Sequence, residues 1–278
     1  MARDKNFFEP DSVRLVQFVS ASEVIRGFRN GSLDAAALTL DEVLLLGESG
    51  IDLKIILVAD VSHGGDVILG QSRILSMKDL IGTKVGVENT AVGALTLTRA
   101  FELYGLALDD ITIVPLEADS HRSAFEAREI DAVVTFEPVR TILLNQGGRE
   151  LFSSREIPGE IVDVLVVRSE VYLSHERHIA SLINAWFQAL DFMENDPSQA
   201  IASMDARLKI GPNNVRKSLQ GLAFPDRDQN IQLLTGATPG LAKTMGSLES
   251  FMAARGLLQQ EVGVEKFFLE QNVGHFLE

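Results

Sequence analysis

Short apolar runs alternate along most of the chain with polar loops and amphipathic stretches. Two segments do so in the same order: RLVQFVSASEVIRGFRNGSLDAAALT at residues 14–39 and TIVPLEADSHRSAFEAREIDAVVT at residues 112–135. Each has a β-branched run, a polar loop, an amphipathic stretch, an aliphatic-Asp-Ala step and a second apolar run that ends at threonine. Each copy therefore predicts strand, helix, strand. Because ligands bind at the strand-end loops of open α/β sheets, the repeat predicts two equivalent sets of ligand loops.

Local signals place the elements of the first copy. We predict a strand over Val13–Val19, followed by a helix that begins at the capping box Ser20-Ala-Ser-Glu23. A short buried strand is predicted over Ala35–Leu38. The second capping box, Thr39-Leu-Asp-Glu42, then opens another helix.

Two aliphatic runs are typical of strands covered on both faces: Leu53–Ala59, which is continuous, and Ile161–Val167, which is interrupted only by Asp163. A polar break with two glycines, Asp60–Asp66, follows the first run. From Ser174 onward the apolar spacing is almost entirely helical. Strands that alternate with helices predict an α/β protein with mostly parallel sheets flanked by helices and a helical C-terminal region.

Composition narrows the class of protein. The 278 residues suffice for one large domain or for two lobes of about 100–150 residues each. A net charge of −14 disfavours nucleic acid and anionic membranes as partners. The absence of cysteine excludes disulfides, thiolate catalysis and cysteine metal sites. No run approaches the roughly 18–20 apolar residues of a membrane span.

The common catalytic motifs are missing from the sequence. It contains no phosphate-binding GxxxxGK[ST] loop, no GxGxxG after a strand and no GxSxG nucleophile turn. His175-Glu-Arg-His178 has the wrong spacing for a zinc-binding HExxH helix, and we interpret it as a solvated helix start. We therefore predict no catalytic residue, no metal and no cofactor.

Polar residues at the predicted strand exits are the candidates for ligand binding. Taken singly, residues such as Ser20, Thr39 and Asp41 are good helix caps or first-turn acids. Taken together, they lie at one end of the sheet, where helix N-termini and free amides can hold a small polar molecule. The candidate ligand-binding residues are Ser20, Ser22, Thr39, Asp41, Ser62, His63, Asp66, Glu88, Asn89, Thr90, Thr135, Phe136, Glu137 and Asp163.

Four segments carry a family resemblance: GSLDAAALTLDEVLLL, IDLKIILVADVSHGGDVIL, LIGTKVGVENTAVGALTLTRAFELYGL and IDAVVTFEPV. They resemble the solute-binding proteins of nitrate, sulfonate and taurine ABC importers, a family that also includes binders of thiamine pyrimidine precursors. The resemblance runs from about residue 2 to about residue 255. It implies the type II periplasmic-binding-protein fold, with two crossovers and ligand held between two α/β lobes. Lobe 1 would comprise residues 1–62 and 166–278, and lobe 2 residues 63–165.

The start of the chain departs from that family. MARDKNFF matches the end of the family's first helix, which a strand and a ligand-contacting loop normally precede. From this comparison we expect the first strand to be missing. The segment MARDKNFFEPD also lacks the apolar core of a signal peptide. We expect a periplasmic protein whose signal segment is not part of this sequence, with a cytoplasmic protein as the alternative.

Charge predicts the type of ligand. The candidate loops contain Asp41, Asp66, Glu88, Glu137 and Asp163 but no lysine or arginine. Burying an inorganic anion beside several carboxylates is costly. We therefore predict a neutral or cationic, hydrogen-bonding small molecule, with Phe136 as a stacking face and His63 as an additional polar contact.

Three functions are compatible with this sequence. The leading hypothesis is a non-catalytic, monomeric substrate-binding protein that closes around its ligand by hinge motion and docks on an ABC permease in the membrane. The alternative is a cytoplasmic enzyme on the same fold, of the menaquinone-pathway or thiamine-pyrimidine type. In that case Glu88 or Glu137 would act as general acid or base. The third is a ligand-sensing module of a signalling protein.

Overall fold

The computed structural model describes residues 2, 4, 5, 7, 8, 13–88, 91–236 and 238–268. Helices flank two β-sheets in this part of the chain, which confirms the predicted two-lobed α/β class. The strands are β1 (Ala35–Thr39), β2 (Leu53–Ser62), β3 (Asp66–Gly70), β4 (Lys84–Val87), β5 (Thr112–Pro115), β6 (Ala132–Phe136), β7 (Arg149–Ser153), β8 (Val162–Arg168) and β9 (Leu222–Ala223).

The helices cover the sheets and form most of the C-terminal region. They are α1 (Ala21–Arg29), α2 (Leu40–Glu48), α3 (Ala91–Tyr104), α4 (His121–Glu126), α5 (Val139–Asn145), α6 (Ser169–Ser174), α7 (Glu176–Asn195), α8 (Pro197–Leu208), α9 (Pro212–Leu219), α10 (Arg227–Leu234) and α11 (Gly240–Ala254). Both predicted capping boxes begin helices, because Glu23 follows the N-cap Ser20 of α1 and Glu42 follows the N-cap Thr39 of α2.

The two sheets differ in strand direction. The first has the order β1-β8-β2-β9, and each of its ladders is antiparallel. The second has the order β5-β4-β6-β3-β7; β4 pairs in parallel with β5 and β6, while β3 pairs antiparallel with β6 and β7. This differs from the predicted mostly parallel sheets. Strands β3 and β8, which follow the two crossings, run antiparallel to their neighbours. The alternation of strands and helices along the sequence does not reveal this direction.

The predicted strand over Val13–Val19 is wrong. Residues 13–18 form no regular structure, and Leu15, Val16 and Val19 are each about half exposed. A strand requires a neighbour for its backbone hydrogen bonds, and no described strand pairs with this segment. The second copy of the repeat does form strand, helix and strand as predicted, in β5, α4 and β6.

Two short crossings join the sheets. Residues 63–65 lead from β2 to β3, and residues 154–161 lead from β7 back to β8. The strand β8 pairs with β1 and β2 from its first residues onward, so the predicted lobe boundary at residue 165 falls inside a strand of the first sheet. The ligand cleft predicted from the sequence corresponds to the space beside these crossings.

Glycines allow close backbone contact at the first crossing. The His63 amide donates to the carbonyl of Gly221 at 2.8 Å. A Cβ atom on Gly65 would lie 3.0 Å from the Gly221 carbonyl oxygen, and one on Gly221 would lie 3.0 Å from the Gly65 nitrogen. Gly64 has a φ of +98°, which larger residues rarely adopt. The crossing therefore packs directly on the segment before β9 through backbone atoms.

The inner strands β3, β4 and β6 of the second sheet are buried along nearly their whole length, whereas the edge strand β5 is largely exposed. Ala132 and Val134 of β6 belong to the main apolar cluster, which also contains Phe28 and Val164. Val133 points to the opposite face, into a smaller cluster. Burial on both sides explains why β6 is a continuous apolar run, and it leaves polar side chains only where the strands end.

Candidate functional site: a carboxylate-lined cleft

Strands β1, β8 and β2 bring acidic residues side by side. Asp163 on β8 is the register partner of Thr39 on β1 and of Asp60 on β2. Directly opposed residues have Cβ atoms about 4.5–5.5 Å apart. The negative charge of Asp60 raises the pKa of Asp163, so the two carboxyl groups are more stable when they share a proton.

The N-terminus of α2 adds two further carboxyl groups. Glu42 Oε2 accepts a hydrogen bond from the Thr39 amide at 2.9 Å, which turns this side chain back toward the strand end. Asp41 is 1% exposed and Glu42 is 2% exposed. Asp41 Oδ2, Glu42 Oε1 and Thr39 Oγ1 are buried without a hydrogen-bond partner. Buried oxygens of this kind are costly unless a donor reaches them.

Asp66, the first residue of β3, extends the cluster from the second sheet. Its amide donates to Ser62 Oγ at 3.1 Å, and Ser62 Oγ lies 2.8 Å from Ser154 Oγ on the return crossing. Its carboxylate repels those of Asp41, Asp60 and Asp163. The crossings thus hold acidic residues of both sheets within electrostatic reach of one another.

Burial shifts the titration of these acids. Loss of solvation raises the pKa of Asp41, Asp60 and Asp66 to about 6 each. The pKa of Glu42 rises to about 8, first through burial and then through repulsion from Asp41. Burial and the charge of Asp60 hold the pKa of Asp163 well above its ordinary value.

A small cavity lies on the side of the second sheet, beside β3 and β6. It has a volume of about 10 Å³, roughly the space of one water molecule, and of the carboxylates described above Asp66 lines it. Any larger ligand therefore requires this cavity to widen. The cavity is lined by Asp66, Glu88, Val92, Gly93, Thr96, His121, Val134, Thr135 and Phe136.

His121 supports the wall of this cavity. It is 2% exposed, and its Nδ1 lies 3.2 Å from Thr135 Oγ1. The ring contacts that of Phe136 edge to face, with centroids 6.3 Å apart. Burial lowers the pKa of His121, so the ring is neutral at pH 7. His121 Nε2 and Thr96 Oγ1 are further buried polar atoms without a partner.

Three hydrogen bonds, made by two serines, reach candidate residues across the cleft. The Ser22 amide and hydroxyl, at the start of α1, donate to Glu88 Oε1 at 3.3 and 3.1 Å. Ser218 Oγ, on α9, donates to Glu137 Oε2 at 3.1 Å. Both contacts connect an element next to the first sheet with a loop of the second sheet, so opening of the cleft would break them.

Glu137 is held firmly by its neighbours. Arg140 Nη1 and Thr141 Oγ1 each lie 2.9 Å from Glu137 Oε1, and the Thr141 amide donates to Oε2. Arg140 also pairs with Glu150. This carboxylate is neutralised by a guanidinium, unlike the cluster around Asp163. Through these contacts Glu137 holds the edge of the cleft in place.

The other predicted site residues take different places. Ser20 caps α1, where its Oγ accepts from the Glu23 amide at 3.3 Å. Ser62 holds the crossing, and the side chain of His63 is exposed. Thr135 and Phe136 line the cavity. Asn89 and Thr90 lie outside the described residues.

Four residues of the site were not predicted: Glu42, Asp60, Thr96 and His121. Glu42 had been interpreted only as a capping residue. Asp60 was visible as the first polar residue after an aliphatic run, the same signal that identified Asp66. Thr96 and His121 gave no such signal, because each lies within a helix and reaches the cavity only through tertiary packing.

A more open cavity of about 650 Å³ lies elsewhere, between α7 and the start of α10. Phe187, Leu190 and Phe224 line it together with Asp191 and Arg227. None of the cluster carboxylates borders it. We therefore assign the candidate site to the cleft, where unpartnered polar atoms converge.

Two sheets joined by two crossings, with a polar cleft beside them, define the class of periplasmic solute-binding-protein folds. The chain belongs to the NMT1-like family, whose sequence profile matches residues 1–206. A putative binding protein of Brucella abortus is 26% identical over 250 residues, covering 81% of this chain and 76% of that protein.

Solved structures with this fold include both binding proteins and an enzyme. The alkanesulfonate-binding protein SsuA from Xanthomonas axonopodis pv. citri, bound to MOPS, superposes with a TM-score of 0.82 at 18% identity, covering 95% of this chain and 91% of that one. The desulfurization enzyme DszB superposes with a TM-score of 0.67 at 15% identity, covering 99% and 94%. At such identities the likeness concerns the fold alone.

The described residues contain neither a membrane-spanning helix nor a cluster of metal ligands. Within them, no helix is long and apolar enough to cross a membrane. Nor do three or more histidine or acidic side chains in those same ranges come together as ligands for a metal ion.

Proposed function

We propose that this protein is the substrate-binding component of an ABC-type importer and captures a small polar molecule, neutral or cationic, between its two sheets. The observation that carries the proposal is the set of unpartnered buried oxygens at the cleft, on Thr39, Asp41, Glu42 and Asp60. Such atoms are stabilised when a ligand supplies hydrogen-bond donors. Membership of the NMT1-like family and the similarity to binding proteins support the same function.

Ligand capture in this proposal is a hinge motion. The crossings are short, and the first contains Gly64 and Gly65, whose backbones can adopt conformations that larger residues rarely take. The bonds from Ser22 to Glu88 and from Ser218 to Glu137 close the cleft. A ligand that contacts both sides would shift the population toward the closed form.

The moving parts and the contacts are proposed together. Within the described residues, lobe 2 is residues 63–161 and lobe 1 is the remainder, because β8 belongs to the first sheet; the boundary predicted at residue 165 thus moves to the start of that strand. Ligand contacts come from Ser22, Thr39, Asp41, Asp66, Glu88, Thr135, Phe136 and Asp163, with Ser20, Ser62, His63 and Glu137 as supporting residues of the rim and crossing.

We propose binding without catalysis. The Nδ1 atom of the buried His121 lies beside Thr135, and Glu137 is occupied by Arg140 and Thr141. His121 and Thr135 are a base and a hydroxyl within reach, but His121 Nε2 has no partner that would orient the ring for group transfer. The partners would be the small-molecule ligand and a membrane permease, with the protein acting as a monomer in the periplasm.

Thermal unfolding against a panel of amines, pyrimidines, sulfonates, nitrate and carboxylates tests the proposal. A ligand at 100 times its Kd adds about 2.7 kcal/mol to the free energy of unfolding, a shift of a few degrees for this length of chain. Replacing Thr135 by valine should reduce the shift, whereas Asp109→Asn, on the exposed turn before β5, should leave it unchanged.

Small-angle scattering on the same samples supplies a second readout. A compound that binds in the cleft should reduce the radius of gyration as the sheets close. If no compound of any class shifts the midpoint or the radius, the binding proposal fails.

A further inference from the structure

The cleft carries hydrogen-bond acceptors without donors. Asp41 Oδ2 and Glu42 Oε1 belong to side chains that are 1% and 2% exposed, and both atoms lack a partner. Asp60 Oδ1 is buried without a partner as well. Carboxylate oxygens accept hydrogen bonds, and only a group with N–H or O–H can satisfy them.

The same cluster lacks compensating positive charge. Among the ion pairs within the described ranges, none involves Asp41, Glu42, Asp60, Asp66 or Asp163. Several buried carboxylates without a counter-charge are strongly unfavourable, and they stay ionised only if a cation joins them.

Basic residues at the rim are already paired. Arg140 is bound to Glu137 and Glu150. Arg155 stands over Gly64 and lies 3.8 Å from Glu150. Both guanidinium groups belong to the second sheet and its return crossing, where Glu150 holds them. They do not neutralise the carboxylates around Asp163.

We propose, building on the binding function above, that the ligand is an organic cation with N–H donors, a protonated amine or amidinium, whose charged end enters between Asp41, Asp60 and Asp163. An ammonium or amidinium group supplies both the charge and the donors that these oxygens lack. The uncharged remainder of the ligand would face Phe136 and Thr135 of the second sheet.

Other cations and anions fit the same atoms less well. A quaternary ammonium has no N–H to donate, and proteins normally hold it with several aromatic rings. The small cavity beside the second sheet offers the phenyl ring of Phe136. The carboxylates do not converge as metal ligands within the described residues. A sulfonate or nitrate would meet like charge on the ionised Asp41 and Asp66.

Four compounds that share a hydroxyethyl group separate charge from donors. Ethanolamine carries a protonated amine, choline a trimethylated one, ethylene glycol no charge, and isethionate a sulfonate. Each is titrated against the intact protein at constant ionic strength, and the thermal midpoint is followed. Ethanolamine should raise the midpoint by a few degrees, choline by less, and the other two should have no effect.

The variants Asp163→Asn and Asp60→Asn locate the effect. Each should raise the Kd for ethanolamine, obtained from the midpoint shifts, about tenfold, which is the usual size of a lost charged hydrogen bond. The exposed Asp109→Asn should leave this Kd unchanged. Both site variants are expected to fold, because each removes an unpaired charge. Their midpoints without ethanolamine verify this.

The outcomes separate this inference from the proposed function. An equal response to ethanolamine and choline would refute the requirement for N–H donors. A response only to isethionate or ethylene glycol would refute the cationic ligand but leave a binding protein. No response to any of the four would refute the cation site, while a response to another class in the wider panel would preserve the binding function.

Discussion

Asp60 and Asp163 face each other across adjacent antiparallel strands, and the negative charge of Asp60 raises the pKa of Asp163. The pair must hold a proton or a cation, because two ionised carboxylates at this separation repel. In a sheet that otherwise buries aliphatic side chains, two opposed acidic side chains lower the stability of the folded protein. Loss of stability of that kind is typical of binding sites.

Removing one charge of the pair should stabilise the protein. Asp163→Asn keeps the shape of the side chain and supplies an amide donor to Asp60. We expect the free energy of unfolding at pH 8 to rise by about 1–3 kcal/mol. Urea denaturation measures it, with Asp109→Asn as the exposed control, expected to change by less than about 0.5 kcal/mol. A less stable Asp163→Asn would contradict the assignment of charge repulsion here.

Stability should fall as the pH rises from about 4 to about 8. The folded pKa is about 6 for Asp41, Asp60 and Asp66 and about 8 for Glu42, all above their unfolded values. In this window the folded state binds more protons than the unfolded state, so the slope of unfolding free energy against pH is negative. Each group changes the free energy of unfolding by roughly 1.4 kcal/mol for each unit by which its folded pKa exceeds its unfolded pKa.

Denaturation at a series of pH values measures that slope, and Glu42→Gln should flatten its upper part between about pH 6 and pH 8. The hydrogen bond from Arg255 lowers the pKa of the exposed Glu102, so this acid makes the folded protein more stable as the pH rises. That effect is confined to pH values at or below its ordinary pKa. A stability that increases steadily up to pH 8 would contradict the raised pKa values.

Asn230 should prove important for the first sheet. It is fully buried, its Oδ1 accepts from the Val58 amide at 2.7 Å, and its Nδ2 donates to the Val58 carbonyl at 3.2 Å. This side chain satisfies β2 at an irregularity in its pairing with β8. Asn230→Ala leaves both backbone groups unpaired, so we expect a loss of about 2–4 kcal/mol by thermal or urea unfolding. Asn213→Ala, at an exposed position of α9, is the matched control; an equal effect of the two would refute this role.

Two glycines inside helices should respond oppositely to alanine. A Cβ on Gly93 of α3 would lie 2.7 Å from the backbone oxygen of Glu88, so Gly93→Ala must displace the Glu88 loop. We expect lower stability and weaker binding of any ligand found for the cleft. Gly246 of α11 has open space around its Cβ position, and Gly246→Ala should stabilise by about 0.5–1 kcal/mol. Melting midpoints of the two variants decide this, and a shift in the same direction for both would contradict it.

Much of the fold could be predicted from local signals, because those signals act locally. The capping boxes at Ser20 and Thr39 form their helices, and the runs from Leu53 and Ile161 form buried strands. What failed depends on distant neighbours. Val13–Val19 has the composition of a strand but no described partner, and apolar content cannot reveal a missing neighbour.

The site was predictable to the same degree. Asp41, Asp66 and Asp163 follow or begin apolar runs, so their strand-end position could be inferred. Asp60 and Glu42 became part of the site only through the register of β2 with β8 and the turn of α2. The pairing of Arg140 with Glu150 depends on α5 and β7 meeting, which no spacing in the sequence indicates, whereas its pairing with Glu137 is a local i, i+3 contact.

The backbone contact between Gly65 and Gly221 lies beside the first crossing, where the proposed hinge motion has its pivot. Its position determines which surfaces of the protein would move when a ligand binds. A rigid rotation displaces each point in proportion to its distance from the pivot, so atoms beside this contact would hardly move. The largest displacements would fall on surfaces far from it. A protein that docks on such distant surfaces could distinguish the loaded from the unloaded form without ever touching the ligand.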